Sequence, residues 1–188
     1  MIHHDVLIVG TGVMGVALAN SINSDELSIG IIESNPEPYL SKRHLSINQK
    51  SLNFFKDLDV WKEIEPNAYP YRKIKVWDQE GSGYIEFDSQ EANIDLLGHI
   101  VSEGKIQKSL IDSLETKKVD FYWNNKLLDI KKNTSDIICT TSNDQISCKF
   151  LIGCDGVNSS VRDLGKFESR FWSYNQTAIV ANLKSSDI

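Results

Sequence analysis

The chain has 188 residues, of which 40% are hydrophobic, and it carries a formal net charge of −6. This length suits one domain or one and a half, and the apolar fraction is sufficient for a hydrophobic core. The acidic balance and the lack of a basic run argue against nucleic acid as a partner. No apolar stretch approaches the ~20 residues that a membrane-spanning helix needs.

Neither the N-terminus nor the cysteines indicate secretion. The first strand is predicted to begin at about residue 5, which leaves no room for a signal peptide. Cys139, Cys148 and Cys154 form no C-x-x-C pair, so we expect buried, reduced thiols in a cytoplasmic protein. His3 and His4 are too few for a metal site, and we expect them at an exposed strand entrance.

The N-terminal residues 5–33 form the pattern around which the chain is organised. An apolar run at residues 6–9 predicts a buried parallel strand. It leads into Gly10-Thr11-Gly12-Val13-Met14-Gly15 and then into an apolar helical pattern. A second apolar run, at residues 29–32, ends in Glu33. A dinucleotide-binding βαβ unit has this order of strand, glycine loop, helix, strand and acid.

Each glycine has a separate expected task. Gly10 allows a sharp turn, Gly12 lets a pyrophosphate approach the backbone, and Gly15 lets the helix pack closely on the strand. The pyrophosphate would lie on free N–H groups at the positive end of the helix dipole. Glu33 would accept hydrogen bonds from ribose hydroxyls, which favours FAD or NAD over NADP. An isolated G-x-G-x-x-G is also found in ordinary glycine-rich turns, but the flanking elements favour dinucleotide binding.

The segment after Glu33 is predicted to be a loop, because residues 34–44 contain two prolines and several polar residues. It leaves the carboxyl end of the second strand and should therefore pass near the cofactor. Arg43 is then either a cation that faces the cofactor's phosphates or a solvated surface arginine. Residues 45–64 carry an apolar face with helical spacing and predict a helix.

The pattern changes to antiparallel β structure at residue 71. Two alternating runs around a glycine-containing turn predict a β-hairpin. Residues 104–114 predict a helix. Four short runs with polar turns between them predict a β-meander packed against the sheet: residues 119–123, 126–131, 136–141 and 145–149.

A second buried strand is predicted at residues 150–154 and runs directly into Asp155 and Gly156. A carboxylate and a glycine at this position are well placed to meet a ligand in the same crevice as the glycine loop. The alternative is a turn that caps the next helix, because Asp, Asn and Ser also favour turns and N-caps.

Three groups of residues, in this order, resemble a known enzyme family. They are the glycine loop with Glu33, then V-W-D-Q-E-G-S-G-Y-I-E-F-D with L-G-H-I-V, and finally L-I-G-C-D-G-V-N-S-S-V-R. The chain resembles the FAD-dependent aromatic hydroxylases over essentially its whole length, and most closely the ubiquinone-biosynthesis monooxygenases. The resemblance implies an α/β, FAD/NAD(P)-binding, Rossmann-like three-layer fold with a β-meander, plus part of a truncated antiparallel substrate-domain sheet.

The resemblance also implies a division into domains. A discontinuous FAD-binding domain would comprise residues 1–70 and 98–168, and a partial substrate domain residues 71–97 and 169–188. Residues 174–182 resemble the family's strand that leads into the substrate sheet. We therefore expect an N-terminal half whose incomplete sheet exposes an apolar face and an unpaired edge.

The family's cofactor contacts can be carried over to matching residues. Gly10 to Gly15 would hold the FAD pyrophosphate and Glu33 the adenosine ribose. Arg43 matches the family arginine that reaches toward the cofactor. Leu127 lies where the family places a backbone contact to adenine.

The second flavin motif of the family matches Asp155 and Gly156, which would contact the ribityl and pyrophosphate region and be linked to NAD(P)H use. The chain departs from the family at Glu103 and Gly104, where polar and basic residues are expected. A carboxylate at position 103 would repel phosphates unless its side chain turns away, so neither residue is assigned to the site.

The implied activity is hydroxylation of the aromatic ring of a prenylated phenol in ubiquinone biosynthesis. FAD would be bound, NADPH or NADH would be a transient co-substrate, and O2 would be consumed; no catalytic acid or base is marked in this half. The implied partners include a ubiquinone-biosynthesis complex and a peripheral contact with the inner membrane. The alternatives are a non-catalytic FAD-binding or assembly module and another flavoprotein of the superfamily, such as a prenyl-chain reductase or a halogenase.

Overall fold

The N-terminal pattern forms the predicted βαβ unit in the computed structural model, which describes residues 1–22 and 24–181. β1 (Ile2–Val9) is followed by α1 (Val13–Ser21) and β2 (Ile29–Ile32). β1 begins earlier than expected because its first residues also pair with a strand from the C-terminal part of the chain. β1 and β2 are parallel neighbours.

The remaining elements follow in chain order. They are β3 (His44–Ile47), α2 (Gln49–Asp57), α3 (Trp61–Ile64), a 3-10 turn (Glu65–Asn67), β4 (Tyr69–Tyr71), β5 (Lys73–Trp77), β6 (Tyr84–Asp88), β7 (Gly98–Ser102), α4 (Glu103–Leu114), β8 (Val119–Tyr122), β9 (Leu127–Lys132), β10 (Ile137–Thr141), β11 (Gln145–Gly153) and α5 (Ser160–Leu164).

The main sheet has six strands in the order β8-β2-β1-β11-β10-β9. The first four are parallel to one another, and β11, β10 and β9 pair antiparallel. Two details of the prediction were wrong. β8 is not part of the meander, because it pairs in parallel with β2, and β11 is one continuous strand rather than two. Residues 146–148 of β11 pair with β1 on one side and with β10 on the other.

The two faces of the parallel strands pack into separate cores, because successive side chains of a strand point to opposite faces. Ile8 and Ile31 belong to the core shared with α1 and α4. Leu7 and Ile32 belong to the core shared with the meander and α5. This gives the predicted three layers of helices, parallel sheet and meander, and confirms the α/β fold class.

The single helix predicted over residues 45–64 is wrong at its start, and it is interrupted between α2 and α3. Residues 44–47 form β3, in which Leu45 pairs with Val101 of the antiparallel strand β7. The helix begins only after Asn48, whose side chain accepts a hydrogen bond at 3.0 Å from the N–H of Ser51. A strand partner that lies more than 50 residues away in sequence overrides the local helical spacing.

The hairpin of β5 and β6 forms as predicted, and it pairs with no other strand among the described residues. A strand was expected over residues 174–182. Residues 174–181 pair with no strand, so the prediction is wrong for this part of the segment. An extended segment becomes a strand only when its backbone groups find a partner. Residue 182 and the remainder of the expected substrate domain to residue 188 lie outside the described residues, so the domain division remains a prediction.

The cysteines agree with the prediction and one histidine does not. Cys139 and Cys148 are buried, Cys154 is partly buried, and all three are free thiols. His3 is exposed, but His4 is only 2% exposed, because β1 begins before it and carries it inside. Among the described helices, none has the length and apolar character to cross a bilayer.

Candidate cofactor site

Two cavities open where the carboxyl ends of β1, β2 and β11 meet. One, of about 490 Å³, lies between the glycine loop, residues 35–43 and the start of α4. The other, of about 410 Å³, lies between the glycine loop, residues 125–127 and the segment after β11. Both have the ~300–1,000 Å³ of typical ligand sites. They share Thr11 and Glu33, so they form one groove that crosses the glycine loop.

The glycine loop has the geometry that its sequence predicts. Gly10 has φ +105°, and a Cβ there would lie 2.5 Å from the carbonyl oxygen of Cys154. A Cβ on Gly15 would collide with the carbonyl oxygen of Gly10. A Cβ on Gly12, by contrast, would meet no protein atom within 4 Å. Gly10 and Gly15 are therefore required by packing, whereas Gly12 leaves the backbone open to a ligand.

The N-terminus of α1 faces this opening without a capping side chain among the described residues, because its N-cap is Gly12. The first N–H groups of a helix lack partners within the helix and attract anions. Val13 packs against the helical core, and the side chain of Met14 is 74% exposed. Neither lines the cavities, so a ligand would meet these two residues through their backbone.

Glu33 is held by five hydrogen bonds from its neighbours. Its Oε2 accepts from the backbone N–H of Thr11 at 3.0 Å and from Thr11 Oγ1 at 2.7 Å. Its Oε1 accepts from the N–H and Nδ2 of Asn35 at 2.9 and 2.8 Å and from Ser34 Oγ at 3.2 Å. A carboxylate offers about four lone-pair sites. A ribose hydroxyl that donates to Glu33 would therefore have to share a carboxylate oxygen with these donors or replace one of them.

The charge of Glu33 follows from these contacts. Burial raises the pKa of the Glu33 carboxyl, but the hydrogen bonds from Asn35 and Thr11 outweigh burial and hold the pKa below its ordinary value. The carboxylate is thus ionised at neutral pH. A negative charge at this position disfavours a 2′-phosphate by like-charge repulsion.

Arg43 and Glu103 form an ion pair in the wall of the first cavity. His44 pairs with Ser102 in the β3–β7 ladder, and Arg43 and Glu103 are the next pair in that register. Arg43 Nε lies 2.9 Å from Glu103 Oε2, and Arg43 Nη2 lies 3.0 Å from Oε1. The contact raises the pKa of Arg43 and lowers that of Glu103. The acid at position 103 thus turns toward a cation.

Asp155 and Gly156 line the second cavity, but the carboxylate of Asp155 also caps α5. Asp155 Oδ1 accepts a hydrogen bond from Ser159 Oγ at 2.6 Å, and Oδ2 accepts one from the N–H of Val161 at 3.2 Å. Both alternatives raised by the sequence are therefore compatible with the geometry. Leu127 lies in the same cavity.

Several groove residues were missed by the sequence reasoning. Gln107 is 5% exposed, and its Nε2 donates at 2.8 Å to the carbonyl of Thr11, which supports the glycine loop from α4. The signal was available, since Gln107 is a polar residue within the apolar face of a predicted helix. Asn125 was also missed, and its N–H donates at 2.8 Å to the carbonyl of Glu33. The other missed lining residues include Asn35, Tyr39, Ser41, Lys42, Lys126, Asn158, Ser160 and Val180.

The groove suits an anionic organic cofactor better than a metal. The described part of the chain contains no cluster of three or more His, Cys, Asp or Glu placed to hold a metal ion. It offers instead an uncapped helix N-terminus, an open glycine backbone and an ionised acid at the end of the second strand. These features fit the pyrophosphate and ribose of a dinucleotide.

Comparison with known proteins identifies the family of the chain. The FAD binding domain family matches residues 3–185. The chain is 27% identical over 189 residues to 3-demethoxyubiquinol 3-hydroxylase of Escherichia coli (strain K12), covering 96% of this chain and 48% of that protein. It is 28% identical over 207 residues to the human mitochondrial ubiquinone biosynthesis monooxygenase COQ6, covering 98% and 44%. The chain thus spans about half the length of the curated relatives it matches.

Solved structures show the same fold. The p-nitrophenol 4-monooxygenase PnpA from Pseudomonas putida DLL-E4 aligns with a TM-score of 0.75 at 17% identity, over 87% of this chain and 44% of that one. P. aeruginosa PqsL in complex with 2-aminobenzoylacetate aligns with a TM-score of 0.75 at 16% identity, over 92% and 48%. These results confirm the resemblance seen in the sequence, and with the match over residues 3–185 the chain belongs to the FAD-binding domain family.

Proposed function

We propose that this chain is the FAD-binding part of a monooxygenase that hydroxylates the aromatic ring of a prenylated phenol in ubiquinone biosynthesis. The observation that carries the proposal is the groove in which the open Gly12 backbone and the α1 N-terminus meet Glu33 and Arg43. The curated relatives are named as ubiquinone-pathway hydroxylases and monooxygenases, which supports the substrate class.

The groove residues would divide the cofactor among them. The N–H groups at the start of α1 would hold the pyrophosphate, and Glu33 would hold the adenosine ribose. Leu127 would contact adenine through its backbone, and Asp155 with Gly156 would meet the ribityl chain. Gly12, Glu33, Leu127, Asp155 and Gly156 all line one or both of the two cavities, which supports the assignment.

When bound, FAD would supply the redox chemistry, in which an aromatic C–H, O2, NAD(P)H and a proton give C–OH, water and NAD(P)⁺. The residues described above bind the cofactor, orient it and neutralise its phosphates. None of them is assigned to proton transfer. We extend the proposal to NADH or NADPH as transient reductant.

The proposal extends to location and partners. A prenylated phenol is largely apolar and partitions into bilayers, which supports a cytoplasmic enzyme in peripheral contact with the inner membrane. A complex with other enzymes of ubiquinone biosynthesis would serve the same purpose. The exposed aromatic residues Phe171 and Trp172 are available for such contacts, although aromatics of an incomplete sheet would have the same exposure.

A non-catalytic FAD-binding module is the second candidate. The observation that favours it is the β5–β6 hairpin, which pairs with no other strand in the described part of the chain and presents exposed apolar side chains to a partner. Another flavoprotein activity of the superfamily would use the same groove.

Two measurements test the proposal and separate the candidates. The purified chain is titrated with FAD, with flavin absorbance and fluorescence as readouts, and then assayed for NADH or NADPH oxidation stimulated by a prenylated phenol. We expect FAD binding, with turnover if the chain is catalytic by itself. Bound FAD without turnover supports the binding module, and no FAD binding at any concentration contradicts both.

A further inference from the structure

We propose that Glu103 is an internal competitor for Arg43, so that FAD binds by replacing one anion with another at the guanidinium. The Glu103 carboxylate occupies the donors that the cofactor's pyrophosphate would use. Glu103 would thereby set the affinity for the cofactor and ease its release. The proposal rests on the FAD site proposed above and assigns a task to a residue that touches neither the glycine loop nor β2.

The geometry of the pair is that of an arginine–anion complex. Two parallel bonds of 2.9 and 3.0 Å join Nε and Nη2 of Arg43 to the two oxygens of Glu103. A phosphate binds a guanidinium through the same bidentate arrangement. Both residues line the cavity that also contains Thr11 and Gly12. The carboxylate therefore stands where it competes with a phosphate for the same donors.

The burial of the two side chains shows which one can move. The Arg43 side chain is 69% exposed, whereas that of Glu103 is 16% exposed. Ion pairs in which both partners are exposed are weak, but only the Arg43 side of this pair is exposed. Arg43 is therefore the partner that moves, while Glu103 stays in place with the hydrogen bond from the Ser41 side chain, and the anion with the better position and higher charge takes the guanidinium.

The backbone holds this segment in place independently of the side-chain pair. The N–H of Glu103 donates to the carbonyl of Arg43 at 2.9 Å, and the N–H of Gly104 donates to the carbonyl of Ser41 at 3.2 Å. A Cβ on Gly104 would lie 2.6 Å from the same oxygen of Ser41. Because these contacts persist when the side chains separate, the exchange needs only a rotation of Arg43.

The same contacts decide where the phosphates can bind. The first N–H groups of α4 are occupied by loop carbonyls, whereas the start of α1 has no capping side chain among the described residues. The pyrophosphate would therefore lie at α1, with Arg43 as a mobile cation at the opposite wall. While Glu103 holds it, Arg43 belongs to a neutral pair and attracts the pyrophosphate less.

The test is a double-mutant cycle on the affinity of the 188-residue chain for FAD, measured by calorimetry and by flavin fluorescence. Glu103→Gln retains the shape and removes the charge, and we expect the dissociation constant of FAD to fall at least ~3-fold. Arg43→Gln should raise the dissociation constant of FAD. The double variant should bind FAD no more tightly than Arg43→Gln alone, because no guanidinium remains for which Glu103 could compete.

Asp112→Asn is the matched control, because Asp112 forms an ion pair with Lys108 at 2.9 Å on the same helix and does not line the groove. Its FAD affinity should be unchanged. Glu103→Ser repeats the test if Glu103→Gln fails to fold by circular dichroism. If Glu103→Gln tightens FAD binding even in the absence of Arg43, Glu103 repels the cofactor directly and the competition model is wrong. If Glu103→Gln binds FAD more weakly than wild type, Glu103 orients Arg43 for binding and the competition model is also wrong. A wild-type chain that binds no FAD overturns the proposed site itself.

Discussion

Thr11 donates two hydrogen bonds to a single oxygen of Glu33, at 3.0 Å from its backbone N–H and at 2.7 Å from Oγ1. The contact joins the second residue of the glycine loop to the end of β2. Thr11 is 2% exposed, so its hydroxyl has little access to water as a substitute acceptor. The loop is therefore held in its binding geometry by the acid that is proposed to contact the ribose.

Thr11→Val should destabilise the protein without altering the shape of the loop. The variant removes the Oγ1 bond to an ionised carboxylate and leaves the backbone bond intact. We expect the free energy of unfolding to fall by about 1–2 kcal/mol, measured by urea denaturation. Thr134→Val, at an exposed position, is the control and should leave stability unchanged. Equal stabilities of the Thr11 variant and wild type would show that the hydroxyl bond contributes nothing.

Gly12→Ala and Gly15→Ala should separate cofactor binding from folding. A Cβ on Gly12 meets no protein atom within 4 Å, so Gly12→Ala should fold with nearly wild-type stability. It should nevertheless bind FAD at least ~10-fold more weakly, because the methyl group enters the space proposed for the pyrophosphate. Unchanged FAD affinity of this variant would place the pyrophosphate elsewhere.

Gly15→Ala, in contrast, should lower the stability of the folded chain. Its methyl group would collide with the carbonyl oxygen of Gly10 and approach the side chain of Cys154. We expect the free energy of unfolding to fall by about 2–4 kcal/mol, as at other overpacked sites with a rigid backbone neighbour. Thermal unfolding of the two variants side by side is the measurement. A stable Gly15 variant would mean that α1 can shift away from β1.

His4 should make stability depend on pH near neutrality. Burial lowers the pKa of His4 below its ordinary value of 6.5, with Asp120 opposing the shift. Below about pH 6.5 the unfolded chain therefore binds a proton that the folded chain does not, and stability falls as the pH falls. The pKa of the Glu33 carboxyl is lowered from 4.5, so its own contribution is lost only at more acidic pH.

Urea denaturation between pH 7.5 and 5.5 measures this effect. Wild type should lose stability steadily over this interval, and His4→Phe should lose less, although it also lacks the 2.7 Å hydrogen bond between His4 Nε2 and the hydroxyl of Tyr122. His44→Gln, at an exposed position, is the control and should follow wild type. A His4→Phe profile parallel to that of wild type would assign the pH dependence to other groups.

The hairpin of β5 and β6 should promote self-association of the 188-residue chain. Its apolar face consists of cross-strand neighbours that are 39–61% exposed, namely Ile74, Val76, Ile85 and Phe87. Uncovered apolar faces with a free strand edge favour association. Replacing the pair Val76 and Ile85 with Lys and Glu places opposite charges across the two strands and should shift the chain toward monomer in sedimentation velocity.

The opposite face of the hairpin provides the control. Lys75 and Glu86 are cross-strand neighbours there, and exchanging the two residues retains the net charge and leaves the apolar face intact. This variant should associate as wild type does. If wild type is already monodisperse at high concentration, the apolar face does not drive association.

The sequence allowed the parallel core and the glycine loop to be predicted because their signals are local. Two short apolar runs, three spaced glycines and an acid suffice to place β1, α1 and β2. β3 was predicted as helix because Leu45 lies seven residues, about two helical turns, before Leu52 and so extends the apolar face of the helix. The choice depends on pairing with β7, more than 50 residues later, and no local pattern contains that information.

The site was predictable in its residue types but not in its contacts. The acid at position 103 was expected to repel phosphates unless its side chain turned away, and its ion pair with Arg43 follows from the register of β3 and β7. Glu33 was expected to have free acceptors, whereas five hydrogen bonds already engage it. Such contacts arise between residues that are distant in sequence and become visible only when the strands are paired.

The position of β11 beside β1 affects the order in which the chain can fold during its synthesis. His3 and Ser147, which face each other across these strands, are 144 residues apart in sequence. A ribosome that adds ~5–20 residues per second needs roughly 7–30 s to cover that distance. Throughout this interval the glycine loop lacks Cys154, whose N–H donates to the carbonyl of Val9 at 2.8 Å. We therefore expect the nascent chain to bind FAD only after β11 has left the ribosome, and nascent chains arrested before residue 154 should emerge without flavin.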